Sequence, residues 1–299
     1  MTDLIILGAG TAGLSAAIYA VRAGLSVRLL ENSVYGGQIL NSPDVDNYPG
    51  IPSISGFDFV QNLHDHAAGL GVKPESVTVS HVELAGAVKR VHTSREVLEA
   101  RAIILATGAS HRKLGCAGEA EFQGRGVSYC ATCDGAFFRG KDVAIVGGGN
   151  TALEDALFLA NSCKTVFLIH RREEFRAHQS VIDAVRAREN IRLLLNATVE
   201  EITGDKQVTG IVLRSTKDES LSDQKVSGVF VAVGLDPNTS LFKGQLELDG
   251  SYIRAGEDCH TSLPGVFAAG DVRTKPLRQL VTAASDGAVA AVEAGKYLS

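Results

Sequence analysis

The feature that most restricts the fold of this chain is a pattern that occurs twice: an apolar run, a glycine-rich turn, and a helix of small residues. In the first copy "DLIIL" (3–7) is followed by "GAGTAG", which contains Gly8, Gly10 and Gly13. In the second copy "KDVAIV" (141–146) is followed by "GGGNTA", which contains Gly147, Gly149, Asn150 and Thr151. Because such runs are typical of buried strands that alternate with helices, the repeat predicts parallel sheets in two similar units.

Each copy continues in the same way. A second strand follows, then a polar-alternating stretch (76–100 and 197–225) that predicts a β-meander, then an apolar strand that ends in glycine (102–108 and 227–234). The remaining C-terminal part has no glycine turn of this kind, and we expect it to return to the first unit. The predicted fold class is α/β, with two Rossmann-like, three-layer ββα dinucleotide-binding domains. Their predicted boundaries are 1–111 with 238–299 for the first domain, and 112–237 for the inserted second domain.

The two glycine turns predict two different dinucleotides. In such a turn the glycines allow a tight bend, close approach of a pyrophosphate and close packing of helix on strand. After the first copy Glu31 ends the next strand, where a carboxylate accepts hydrogen bonds from ribose hydroxyls. After the second copy the chain has His170, Arg171, Arg172 and Arg176 instead. Arginines bind a 2′-phosphate, so this site is predicted to hold NADPH, the alternative being a solvated basic patch.

Two further segments indicate a flavin. A predicted strand ends at Gly270-Asp271, and a long helix begins at about "RQLV" and extends to Tyr297. With Thr107-Gly108 of the earlier "ATG", this arrangement resembles the site of a flavin ribityl chain. The alternative is that Asp271 only caps a helix.

The segment "YCATCDG" places Cys130 and Cys133 two residues apart, with Asp134 directly behind. A zinc site would need a second pair of ligands, and a disulfide across so small a loop adds little stability. We therefore predict a redox-active dithiol, in which Asp134 exchanges a proton with a thiolate. The other three of the five cysteines, Cys116, Cys163 and Cys259, are predicted to be packing residues, and no metal site is expected.

Composition excludes other classes of protein. The net charge of −5 comes from interspersed charges, so no basic surface for nucleic acid is expected. No apolar run is long enough to span a membrane. The first strand begins too early for a signal peptide, so we expect a cytoplasmic protein.

Three segments together resemble the low-molecular-weight thioredoxin reductases of bacteria and plants: "YCATCDG", "GGGNTALEDALFLANSCKTVFLIHRREEFRA" and "VFAAGDVRTKPLRQLVTAASDG". The resemblance implies a homodimer with FAD in the first domain, NADPH in the second, and thioredoxin or a thioredoxin-like protein as partner. It implies that Cys133 lies beside the flavin, that Cys130 attacks thioredoxin and that Asp134 donates the proton. It adds Gln38, Asn47, Arg278 and Gln279 to the FAD site.

Some positions depart from this family, and other functions stay open. The chain has "ILNSPD" after Gln38 where many relatives have threonines, Ala117 where proline is usual, and Ala136 where some have an aromatic residue. A dithiol oxidase of the same fold and a non-catalytic flavin-binding redox sensor are the alternatives. Because the cysteines and the NADPH site share one domain and need the same flavin, we expect the domains to rotate about hinges at 110–115 and 234–240.

Overall fold

A computed structural model of the protein describes residues 1–32, 34–42 and 44–299, without the side chain of Asn41. The chain forms two compact units. Unit 1 comprises Met1–Ser110 and Asp236–Ser299, and unit 2 comprises His111–Leu235.

In chain order, the helices and strands are β1 (Thr2–Leu7), α1 (Thr11–Arg22), β2 (Val27–Glu31), α2 (Gly56–Gly69), β3 (Pro74–Ser76), β4 (Val79–Glu83), β5 (Lys89–Thr93), β6 (Val97–Leu105), β7 (Ala109–His111), β8 (Val127–Ser128), α3 (Ala131–Asp134), β9 (Asp142–Val146), α4 (Asn150–Ala160), β10 (Thr165–His170), α5 (Gln179–Arg186), β11 (Ile191–Leu195), β12 (Ala197–Gly204), β13 (Val208–Ser215), β14 (Leu221–Lys225), β15 (Gly228–Val231), β16 (Leu235–Pro237), β17 (Leu248–Asp249), β18 (Tyr252–Ile253), β19 (Val266–Ala268) and α6 (Leu280–Leu298).

Unit 1 is built on a seven-stranded sheet in the order β3-β2-β1-β6-β5-β4, with β19 also paired to β6. The strands β1, β2, β3, β6 and β19 are parallel, and β4 and β5 add an antiparallel meander. Alternate residues of β1 face opposite sides, as the pleat requires. Leu4 and Ile6 pack in a core with α1 and α6, whereas Ile5 and Leu7 pack in a core with the meander. The sheet is therefore buried on both faces in three layers.

Unit 2 repeats this plan. Its parallel sheet has the order β11-β10-β9-β15-β8, and a three-stranded antiparallel sheet, β12-β13-β14, forms the other layer. Val143 and Ile145 of β9 pack with the helices, and Ala144 and Val146 pack with the antiparallel sheet. The predicted α/β class with two Rossmann-like ββα units is confirmed.

Two predicted strand boundaries were wrong. The meander of unit 1 and the apolar strand after it share β6, whose first half pairs with β5 and whose second half pairs with β1 and β19. The strand before Asp271 ends at Ala268 because Gly270 has a φ of 79°, which an extended strand cannot include, and Gly270–Val272 form a 3₁₀ turn. In the part of the chain that the structure describes, no helix has both the length and the apolar character needed to cross a membrane.

Candidate active site

The glycine turn of unit 1 lies between β1 and α1. Gly8 has a φ of 101°, and a Cβ atom there would lie 2.3 Å from the carbonyl oxygen of Ala106. A Cβ on Gly13 would lie 1.8 Å from the carbonyl oxygen of Gly8, so α1 starts directly against the turn. Gly10, in contrast, has only one atom within 4 Å of its Cβ position, the carbonyl oxygen of Gly36 at 3.8 Å. The turn is therefore closed toward the sheet and open at Gly10, as a phosphate-binding turn requires.

Glu31 lies at the end of β2, next to this turn. Its carboxylate accepts a hydrogen bond from the backbone N–H of Ala9 at 2.8 Å. The first turn and the second strand are thus joined through the carboxylate that is predicted to bind a ribose.

Two of the other residues predicted to bind the flavin, Asn47 and Gln279, meet at the start of α6. The side-chain amide of Asn47 donates a hydrogen bond to Gln279 Oε1 at 3.1 Å, and Gln279 is the N-cap of α6 in a capping box with Thr282. The side-chain amide of Gln38 donates to the carbonyl of Ala109. Of the "ILNSPD" stretch that follows Gln38, Pro43 and the side chain of Asn41 lie outside the described residues.

Thr107 and Gly108 are held by Asn238. The Thr107 hydroxyl donates to the Asn238 carbonyl at 2.8 Å, and the Asn238 amide donates to the Thr107 carbonyl at 2.8 Å. The Asn238 N–H donates to the Gly108 carbonyl at 3.0 Å. The segment directly after β6 is therefore fixed by Asn238, which belongs to the C-terminal part of unit 1.

Asp271 and Arg278 carry buried polar atoms that lack a hydrogen bond in the described part of the chain, namely Oδ1 of Asp271 and Nε of Arg278. Burial raises the pKa of Asp271, while Lys275 and Arg278 act in the opposite direction. The Arg278 guanidinium lies 4.2 Å from the centre of the Tyr252 ring. Because buried polar atoms are normally hydrogen-bonded, these two atoms suit a bound ligand rich in hydroxyl groups.

The glycine turn of unit 2 has the same construction. A Cβ on Gly147 would lie 2.4 Å from the carbonyl oxygen of Ala232, whereas Gly149 has only the Arg176 carbonyl near its Cβ position, at 3.9 Å. Asn150 begins α4 and accepts a hydrogen bond from the His178 N–H at 2.8 Å. Thr151, the next residue, is exposed.

The basic residues after β10 lie against this turn. The His170 ring fills the place of a side chain on Gly148, 2.2 Å from its Cβ position, and stacks on Phe175. Burial lowers the pKa of His170, and the charges of Arg171, Arg172 and Arg176 lower it further. The Arg176 N–H donates to the Gly148 carbonyl at 2.7 Å. All three arginines are exposed, and none of their guanidinium groups has an ion pair or hydrogen bond within residues 1–32, 34–42 and 44–299.

The two predicted redox cysteines are joined in a disulfide, with an S–S distance of 2.06 Å. Cys130 is the N-cap of the one-turn helix α3, Cys133 lies within α3, and Asp134 ends it. The Cys130 N–H donates to Ser128 Oγ at 3.1 Å. A Cβ on Gly135, just beyond α3, would lie 3.1 Å from the Leu159 side chain of α4. The disulfide is therefore carried by unit 2, and the residue just beyond its helix, Gly135, lies closely against α4.

Residues 2–288 match the family described as pyridine nucleotide-disulphide oxidoreductase. The chain belongs to this family. It is similar to "Thioredoxin reductase" of Listeria monocytogenes, 46% identical over 298 residues, which cover 99% of this chain and 93% of that protein. It is 41% identical over 301 residues to "Bifunctional thioredoxin reductase/thioredoxin" of Mycobacterium leprae, covering 99% of this chain and 66% of that protein.

Among solved structures, thioredoxin reductase from Streptococcus pyogenes matches with a TM-score of 0.94 and 39% identity. The match covers 100% of this chain and 98% of that one. The resemblance seen in the sequence is therefore confirmed at the level of the pyridine nucleotide-disulphide oxidoreductases and of their thioredoxin reductase members.

Three residues that support the candidate active site were not found from the sequence, namely Asn238, Arg273 and Asp286. Asn238 fixes Thr107 and Gly108, and Asp286 binds Arg273 and the backbone of Gly270. A signal for Asp286 was present: it is an acidic residue in the alanine-rich part of α6, where a buried carboxylate would need a cation as partner.

Proposed function

We propose that the protein is an NADPH-dependent flavoprotein that reduces the disulfide of thioredoxin or a thioredoxin-like protein. The observation that carries the proposal is the Cys130–Cys133 disulfide, which lies in the unit that also presents three exposed arginines beside a glycine turn. The similarity to thioredoxin reductases over 99% of the chain supports the same reaction.

The residues of unit 1 fit FAD. This assignment is supported by three features: the turn that is open at Gly10, the Glu31 carboxylate at the end of β2, and the buried polar atoms of Asp271 and Arg278. The residues proposed to hold FAD are Gly8, Gly10, Gly13, Glu31, Gln38, Asn47, Thr107, Gly108, Asp271, Arg278 and Gln279. When bound, FAD accepts a hydride and passes two electrons to a disulfide.

The residues of unit 2 fit NADPH. Exposed arginines can donate forked, charge-assisted hydrogen bonds to a 2′-phosphate. We assign to this site Gly147, Gly149, Asn150, Thr151, His170, Arg171, Arg172 and Arg176. These assignments make 1–111 with 238–299 the FAD-binding domain and 112–237 the NADPH-binding domain. Both NADPH and the disulfide then need access to the same flavin. Rotation of the two domains about hinges at 110–115 and 234–240 would let each of them reach it in turn.

The dithiol chemistry is an exchange of disulfides. The Cys130 thiolate attacks one sulfur of the thioredoxin disulfide, forms a mixed disulfide and releases the other sulfur as a thiolate. The Cys133 thiolate then attacks Cys130, which restores Cys130–Cys133 and releases reduced thioredoxin. Asp134, which follows Cys133 directly, is proposed to supply a proton to the departing thiolate.

The purified protein is expected to oxidise NADPH slowly alone and rapidly when oxidised thioredoxin is added. The loss of NADPH absorbance and the appearance of free thiols on thioredoxin measure this together. Oxygen uptake driven by a small dithiol, without a requirement for NADPH, would instead indicate a dithiol oxidase. Absence of turnover with either substrate would indicate the redox sensor.

Gly13→Ala is expected to lose most of its FAD, because its Cβ would lie 1.8 Å from the Gly8 carbonyl oxygen and the turn would have to open. The flavin absorbance per purified chain measures this. Gly69→Ala is the matched control, since its Cβ position has nothing within 4 Å. Equal flavin content in the two variants would contradict the role of the turn.

We also propose that the protein is a homodimer located in the cytoplasm. Exposed apolar residues on α6, Val281 and Val292, support an interface with a second copy of the chain. Light scattering on the purified protein tests the dimer.

The proposed location in the cytoplasm rests on the dithiol, because a dithiol that NADPH keeps reduced suits a reducing compartment. Cell fractionation tests this location.

A further inference from the structure

Glu119 of unit 2 has a buried carboxylate, and the residue is only 3% exposed. Its Oε1 atom accepts hydrogen bonds from the Leu114 N–H at 2.9 Å and from the Tyr129 hydroxyl at 2.8 Å. Its Oε2 atom accepts one from the Gly115 N–H at 2.8 Å. Because burying a charge is costly unless it is hydrogen-bonded, these donors are needed to keep the carboxylate in place. One side chain thus joins Tyr129 to residues 111–115, the linker with which unit 2 begins.

Tyr129 also contacts the other end of this linker. Its ring stacks on the ring of His111, with the centroids 5.1 Å apart and the planes inclined by 28°. Burial raises the pKa of Tyr129, and the hydrogen bond to Glu119 raises it further. The hydroxyl therefore keeps its proton at neutral pH and remains a donor to the carboxylate. Tyr129 holds the linker at both ends, directly at His111 and through Glu119 at Leu114 and Gly115.

Tyr129 directly precedes Cys130, the cysteine that is proposed to attack thioredoxin. The Cys130 N–H donates to Ser128 Oγ at 3.1 Å, and the Ser128 hydroxyl donates to the Cys130 carbonyl at 3.3 Å. Ser128 belongs to β8, which pairs with β15 in the sheet of unit 2. The segment of Cys130 is therefore attached to the sheet through Ser128 and to the linker through Tyr129.

The residue before the linker has its contacts in unit 1. The Ser110 hydroxyl donates to Asn238 Oδ1 at 3.2 Å, and Asn238 also binds Thr107 and Gly108. Ser110 and His111 are neighbours in the chain, yet the first is bound within unit 1 and the second within unit 2. The linker 111–115 is thus attached to the segment of the disulfide along its length.

We propose that Glu119 is a positioning residue for the redox disulfide, which joins the linker 111–115 to the segment of Cys130 through Tyr129, so that linker and disulfide move as one part. The proposed rotation then takes place at the start of the hinge 110–115, between Ser110 and His111. This inference rests on the proposed function, because it assumes that the disulfide exchanges electrons with a flavin and with thioredoxin. Reacting groups that are held in a fixed geometry react faster than mobile ones, so a loosened segment should slow these steps.

Tyr129→Phe tests the positioning role, because it removes the hydroxyl and keeps the ring that stacks on His111. Reduction of thioredoxin and of ferricyanide by NADPH is measured on the full-length, FAD-loaded protein. We expect kcat for thioredoxin reduction to fall about fivefold or more, as the loss of one hydrogen bond would cause. Ferricyanide reduction does not use the disulfide and should keep the wild-type rate.

Glu119→Gln tests the attachment of the linker. Hydrogen exchange of the Leu114 and Gly115 amides, followed by NMR, should become about tenfold faster or more, because the charged acceptor is lost. In Tyr129→Phe the same amides should exchange as in the wild type, since their acceptor remains. Glu121→Gln is the matched control, because Glu121 is exposed and lies two residues away. It should change neither the exchange nor the two activities.

Two results with Tyr129→Phe would overturn the proposal. An unchanged rate of thioredoxin reduction is the first, and an equal fall of both activities is the second, because it would indicate a general loss of stability. Unchanged exchange of the two amides in Glu119→Gln would overturn the attachment of the linker. If Glu119→Gln does not fold, the two activities of Tyr129→Phe decide alone.

These outcomes are separate from those of the proposed function. A wild-type protein that does not reduce thioredoxin would contradict the proposed reaction, while hydrogen exchange would still test the attachment of the linker without any activity. A wild-type protein that reduces thioredoxin no faster than Tyr129→Phe would contradict only the positioning role.

Discussion

Cys130→Ser and Cys133→Ser are each expected to abolish thioredoxin reduction, while both variants still oxidise NADPH with a small electron acceptor such as ferricyanide. The first reaction needs both sulfurs of the disulfide, whereas the second needs only the two cofactors. Neither substitution should unfold unit 2. Cys130 is the N-cap of α3, where serine is a favourable residue, and Cys133 is only half-buried.

The two variants should differ when thioredoxin lacks its own resolving cysteine. Cys133→Ser keeps the attacking thiol of Cys130 and should accumulate a mixed disulfide, visible as a larger species on a non-reducing gel. Cys130→Ser should form none. Cys116→Ser, which removes a half-buried thiol outside the pair, is the control and should keep full activity. An adduct with Cys130→Ser alone would reverse the two roles.

The glycine turns could be predicted from the sequence because their geometry depends on close neighbours. Gly8 must adopt a positive φ, and Gly13 must approach Gly8 within a span of six residues. The continuous burial of β1 and β9 also follows from local pattern, because each strand contains an unbroken apolar run. These features fix the α/β class and place the cofactor turns before any tertiary contact is known.

The supporting contacts could not be predicted, because they join distant segments. The Asn238 amide reaches the Thr107 carbonyl across 131 residues, and Arg273 meets Asp286 only because α6 turns back over β19. The helix α2, in contrast, was missed although its pattern is local. Its apolar residues Phe59, Val60, Leu63 and Ala67 lie at helical spacing and pack toward the core, so this helix could have been predicted from the sequence.

The second large effect is expected at the NADPH site. Replacing Arg171 and Arg172 together by glutamine should raise the KM for NADPH far more than the KM for NADH. The two guanidinium groups are exposed and have no ion pair in the described part of the chain, so both are available to a phosphate. Each lost charge-assisted contact would cost about 1.5–3 kcal/mol, or roughly tenfold or more in affinity.

Arg186→Gln with Arg192→Gln is the matched control, because it removes two exposed positive charges from the same unit but away from the turn. If the general charge of unit 2 attracted NADPH, this control would raise the KM as much as the first pair. If the phosphate site is local, the control variant should leave the KM for NADPH nearly unchanged. The variant that lacks Arg171 and Arg172 should show a reduced preference for NADPH over NADH. A wild-type protein that uses NADH as well as NADPH would contradict the assignment of Arg171, Arg172 and Arg176, since only the 2′-phosphate distinguishes the two nucleotides.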